Sequence, residues 1–214
     1  MKHIIVGLNH LLYVWEAGGQ KTIALQHNPS ITVEEYLQLD RQSTEAKYEY
    51  IDGHAYMLAE GTPNHAKISG NIVTAFNNLL AHRSCGVYTS DARVRLSETR
   101  FVYPDITLSC DGRDQTQEET IHYPKVVVEV LSPGTERYDR GKKFKYYQQC
   151  PSIQEYMLVD TQRQWIEVFK RERSNLWIYR TFGAEDTLEL ESLDIQFSVA
   201  SVYRNVMLLP EDDS

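Results

Sequence analysis

The sequence predicts an α/β (α+β) domain in which helices flank a mixed β-sheet. Three observations carry this. Apolar residues recur at helical spacing through 62–83, two short apolar runs read as buried strands (100–109 and 125–131), and the order along the chain is helix, hairpin, long helix, three strands, helix, three strands.

The elements follow in order. "SITVEEYLQLD" (30–40) reads as a short helix, with Ser30 or Thr32 as the cap and Glu34 and Glu35 at its positive end. "YEYIDGHAYML" (48–58) alternates around Asp52-Gly53, a strong hairpin signal. In 62–83, Pro63 favours a helix start, and His65, Ile68, Ile72, Phe76 and Leu79 form one stripe. Strand-like runs follow at 86–96, 100–109 and 125–131, with a polar loop between the last two. Residues 137–150 read as a helix stopped by Pro151, and 154–160, 164–171 and 176–182 make an all-β finish with exposed edges that leave room for a homodimer. Residues 1–29 read as a loosely attached leader: Asn9 and His10 interrupt the apolar run, which suits neither a signal peptide nor a membrane span. Residues 30–208 read as a single domain, and 209–214 as a frayed acidic tail.

Composition sets bounds on function. The 214 residues carry 42% hydrophobic side chains, enough for a real core. A net charge of −8 repels nucleic acid at long range, so binding it requires a local basic patch or bound metal ions. Three cysteines without a CxxC pair argue against a disulfide framework and a structural zinc, leaving reduced thiols and a cytoplasmic location as the expectation. No Walker A, GxGxxG, HExxH or GxSxG motif is present.

Two acids stand where a charge is costly. Glu129 projects from "VVVEVL" between Val127 and Leu131, and Asp105 sits between Pro104 and Ile106. A buried, unpaired carboxylate costs several kcal/mol, unless it is neutralised by a proton or a cation. One divalent ion held by both acids and water would relieve both, as Mg²⁺ commonly is. A structural ion pair, or a strand-end carboxylate reaching solvent, would also account for either acid. On the next helix Arg140, Lys143, Phe144, Tyr147 and Cys150 share one face, so Lys143 points inward while Lys142 and Lys145 point away. Lys143 either snorkels or stands as a cation beside the acids. Glu49 is a candidate third ligand or a surface acid beside Lys47; Asp139 reads as an N-cap; His65 is a satisfied buried histidine or lines the site.

The strings "YPD", "EVLSPGT" and "DRGKKFKYY", in this order with the hairpin "DG" and the following histidine, resemble the Uma2 family of restriction-endonuclease-like proteins over about residues 30–208. The resemblance implies the PD-(D/E)XK nuclease fold and hydrolysis of DNA phosphodiesters with Mg²⁺ or Mn²⁺. Asp105 matches the aspartate of the PD half-motif, Glu129 the acid of the second half, and Glu49 an acid upstream of the core strands. Leu131 stands where the motif lysine would be, and Lys143 replaces it from the following helix. The competing expectation is a catalytically silent nuclease fold kept as a nucleic-acid- or protein-binding module.

Overall fold

The computed structural model describes residues 13–15, 21–23, 30–44, 46–58, 61–116 and 119–208. The remainder of the expected leader and the whole of the expected tail lie outside these residues. The chain divides into two compact units, residues 1–58 and 59–214.

In the first unit, β1 (Tyr13–Trp15) pairs antiparallel with β2 (Lys21–Ile23). Helix α1 (Val33–Gln42) opens on a capping box: the Thr32 side chain accepts from Glu35 N, and the Glu35 carboxylate accepts from Thr32 N at 2.7 Å. Its one buried side chain, Tyr36, stacks on Tyr50 with ring centroids 5.0 Å apart and donates to Tyr48 O at 2.8 Å. Strands β3 (Tyr48–Ile51) and β4 (His54–Met57) form the expected hairpin. Asp52 (φ 47°) and Gly53 (φ 96°) both take positive φ, as the two-residue turn whose twist matches antiparallel strands requires.

In the second unit, α2 (Pro63–Leu79) begins at the Thr62 cap with proline in the first turn. Ile68, Ile72 and Phe76 are buried; the next buried position is Leu80, while Leu79 is turned out to solvent. Two of the expected strands each divide. Residues 86–96 give β5 (Gly86–Thr89) and β6 (Arg93–Ser97), split by a turn closed from Ala92 N to Thr89 O. Residues 100–109 give β7 (Arg100–Val102) and β8 (Ile106–Ser109), interrupted at Pro104, which has no N–H for a ladder. β6 pairs antiparallel with β7 and parallel with the short β9 (Thr120–Ile121).

The main sheet adds β10 (Val126–Val130), β11 (Glu155–Val159), β12 (Ile166–Arg173) and β13 (Leu176–Phe182), in the order β13-β12-β11-β10-β8-β5. Only β10 and β11 run parallel, because a helical crossover joins them: α3 (Glu136–Tyr138), a π-helical turn (Asp139–Lys143) and α4 (Phe144–Gln149). The helical run starts three residues before Asp139, with Thr135 as the flanking residue. Asp139 is therefore an interior, buried position and not the expected N-cap.

Alternation along the strands separates two layers. Ile106, Leu108, Val126, Val128 and Val130 join Ile68, Ile72 and Phe76 of α2 in the main core. Side chains of β14 (Thr187–Leu190), β15 (Ile195–Ser198) and α5 (Val199–Val202) complete that core; these three elements follow the strands read from the sequence. On the opposite face, Phe144 of α4 stacks on Tyr156 (5.4 Å) and meets Phe169 (4.4 Å) and Trp177 (5.5 Å).

The cysteine expectation is corrected. Cys85 and Cys110 form a disulfide across 25 residues of sequence, because the β5–β8 register pairs Gly86 with Ser109 and so brings the next two residues opposite each other. Cys150 is free and buried. Among the described residues no helix is long and apolar enough to cross a membrane.

Phe76 is fully buried and meets Phe197 edge-on at 5.6 Å. Phe76→Ala is expected to destabilise the protein by about 3–5 kcal/mol, read from urea denaturation.

Candidate active site

The site begins with strand register. β8 and β10 run antiparallel with Ile106 opposite Val128 and Thr107 opposite Val127. Continued by one residue, the same register sets Asp105 opposite Glu129 on one face, where Cβ atoms lie about 4.5–5.5 Å apart. The ladder extends through Glu129 opposite Leu158 on β11 and Leu158 opposite Glu167 on β12. One row across four strands therefore carries Asp105, Glu129, Leu158 and Glu167.

Each acid in that row meets a basic side chain from a helix. His65, in the first turn of α2, places Nε2 3.1 Å from Asp105 Oδ2. Lys143, from the π-helical turn, places Nζ 2.8 Å from Glu129 Oε1. Arg140, from the same turn, places Nη1 2.6 Å from Glu167 Oε2 and also holds Glu136. Asp139 adds a third carboxyl group near Lys143, with Oδ1 3.9 Å from Nζ. Glu129, Lys143 and Asp139 are each no more than 4% exposed.

Two further contacts complete the geometry. Val130 N donates to Asp105 Oδ2 at 2.7 Å, and the buried Tyr147 hydroxyl donates to Glu129 Oε1. Each carboxylate thus directs one oxygen to protein donors. The other oxygens, Asp105 Oδ1 and Glu129 Oε2, have no partner among the described residues.

Burial pushes Glu129 well above the usual carboxylate range; Lys143 opposes this, while Asp139 and Asp105 reinforce it. The Asp105 hydrogen bond raises His65 above the ordinary histidine value against the effect of burial, with Asp105 and Asp139 charges adding to it. Three carboxyl groups, one lysine and one histidine thus converge on one recess. Among the described residues, no three or more His, Cys, Asp or Glu side chains are arranged as a metal site. Two carboxylates, with water and a substrate phosphate, are nonetheless the usual protein share of a Mg²⁺ shell.

Asp105, Glu129, Lys143 and His65 are brought together. Glu49 lies on β3 in the other compact unit, buried at 2% exposure. Leu131 is buried and apolar, and the ammonium group beside Glu129 comes from Lys143. Sequence reasoning missed Asp139 and left Tyr147 without a role. The signal was their spacing: 139, 143 and 147 fall at i, i+4 and i+8 on one helix face.

A mixed sheet with α2 on one face and the crossover helix on the other, and two facing acids at one end of adjacent strands, is the architecture of restriction-endonuclease-like folds. A crystal structure described as "a putative nuclease belonging to DUF820", from Anabaena variabilis, shares it: the TM-score is 0.70 at 19% identity, covering 83% of this chain and 99% of that one. Residues 33–202 match the model of the Uma2 family, described as "Putative restriction endonuclease", and the chain belongs to that family. Two relatives come from Synechocystis sp. (strain PCC 6803). Uncharacterized protein slr1290 is 38% identical over 179 residues, 83% of this chain and 94% of its own length. Uncharacterized protein sll1609 is 26% identical over 175 residues, 80% of this chain and 95% of its own.

Removing one partner of the Glu129–Lys143 pair strands a buried charge. Lys143→Met is expected to lose about 3–5 kcal/mol in urea denaturation. Glu129→Gln/Lys143→Met, which keeps an acceptor for Tyr147, should recover most of that loss. A second expectation concerns pH. Because His65 is raised in the folded state, its contribution is fully present below the ordinary histidine value of about 6.5 and is lost as pH rises through the folded value. In metal-free protein, the Tm advantage of wild type over His65→Gln should be larger at about pH 6 than at about pH 9.

Proposed function

We propose that this protein is a metal-dependent nuclease that hydrolyses DNA phosphodiester bonds at the Asp105–Glu129 pair. The observation that carries the reading is that pair itself. Two carboxylates from adjacent strands stand in register, each with one oxygen held and one uncommitted, beside a buried ammonium group. Membership of the Uma2 family, described as "Putative restriction endonuclease", supports the same chemistry, and the fold shared with the Anabaena protein is consistent with it.

Asp105 and Glu129 are the residues that would hold Mg²⁺ or Mn²⁺. When bound, such an ion polarises a phosphoryl oxygen and lowers the pKa of a coordinated water. Lys143, held between Glu129 and Asp139, orients the attacking water and shares the negative charge that builds on phosphorus-bound oxygens. His65 keeps Asp105 turned in one direction. The helical segment that delivers Lys143 also exposes Arg137, Lys142 and Lys145, a local basic surface on a chain of net charge −8.

One observation favours a silent binding module instead: every acid of the row already has a basic side chain of its own chain beside it. Plasmid nicking separates the two. Wild type should nick supercoiled DNA with Mg²⁺ or Mn²⁺. Asp105→Ala and Glu129→Ala should abolish nicking with far-UV circular dichroism unchanged, and Lys143→Met should slow it by at least about a hundredfold. DNA retention without cleavage under either metal would establish the module; nicking that survives both alanine variants would remove the site.

A further inference from the structure

Tyr147 is fully buried, and its ring lies against Tyr156 with centroids 4.9 Å apart. A phenylalanine would fill that space as well, so packing does not explain the hydroxyl, whose burial is costly unless it is hydrogen-bonded. The hydroxyl ends on Glu129 Oε1, the oxygen that Lys143 Nζ also approaches at 2.8 Å.

We propose that Tyr147 is a positioning residue for the metal site: with Lys143 it pins Glu129 Oε1, so that Oε2 is the oxygen presented to a divalent cation. This rests on the reading of Asp105 and Glu129 as metal ligands.

The last torsion of a glutamate is broad and nearly two-fold, so its two oxygens exchange readily. A lone donor restrains one oxygen but lets the carboxylate plane swing about it. Two donors one helical turn apart, at 143 and 147, approach the same oxygen from different points and fix the plane. Asp105 shows the same design with other parts: Val130 N and His65 Nε2 both meet Oδ2. Each proposed ligand is thus oriented by two donors and left with one uncommitted oxygen. Groups that orient metal ligands in this way typically change metal affinity by about 10–100-fold when removed.

The test uses full-length wild type, Tyr147→Phe and, as a control, Tyr146→Phe. Tyr146 has its ring under the Arg100 guanidinium at 4.4 Å and takes no part in the site. Mn²⁺ affinity is measured by isothermal titration without DNA, and the Tm of each metal-free protein is recorded. The expected result is Mn²⁺ binding weakened about tenfold or more by Tyr147→Phe, with Tyr146→Phe matching wild type. A Tyr147→Phe protein that binds Mn²⁺ within about twofold of wild type overturns the proposal, whatever its Tm, and leaves the metal site standing. Wild type that takes up no Mn²⁺ overturns both the proposal and the metal site on which it rests.

Discussion

The buried pair of Glu129 and Lys143 is the contact on which the rest of the site depends. It joins a central strand to the crossover helix at a point where both groups are almost wholly removed from water. Such a pair recovers its desolvation cost only with good geometry and additional polar contacts, here from Tyr147 to Glu129 and from the nearby Asp139 carboxyl to Lys143. An apolar pair of similar volume would hold the helix to the sheet at least as well. Stability alone therefore gives no reason for the pair.

The helix meets this requirement through an irregularity. Its second turn is a π-helical turn over Asp139–Lys143, a form that occurs mostly as short insertions and often at functional sites. That turn supplies three of the groups that matter: Asp139 near Lys143, Arg140 on Glu167, and Lys143 on Glu129. One turn later the helix is regular again, and Phe144 and Tyr147 pack on the aromatic layer of the sheet. The aromatic layer anchors the helix, leaving the preceding turn to carry charge above the acidic row.

Much of the site was legible in the residues themselves. An acid inside "VVVEVL" is conspicuous because a central strand has no solvent face for it, and helical spacing alone turned Lys143 inward and Lys142 and Lys145 outward. The capped helix at 33–42 and the Asp52-Gly53 hairpin were equally readable, because caps and tight turns depend on residues within a few positions of one another. Asp139 was misread because an aspartate ahead of an apolar stripe suits an N-cap, and only the tertiary fold shows that the helix has already begun at Glu136. The division of 86–96 and 100–109 into strands of different sheets was hidden for a related reason: the breaks are short, and partner choice is non-local.

By itself the sequence determined which positions are apolar, which acids would be expensive to bury, and which helix face a lysine would occupy, since these follow from composition and from periods of 2 and 3.6. Only the tertiary structure decided pairing. The β8–β10 register sets Asp105 opposite Glu129, the β5–β8 register joins Cys85 to Cys110, and the fold brings His65 to Asp105 across 40 positions of chain. The physical reason is that a one-residue slip in register turns every side chain to the other face of the sheet. The register that satisfies all of these contacts is chosen by the assembled core, not by any one strand.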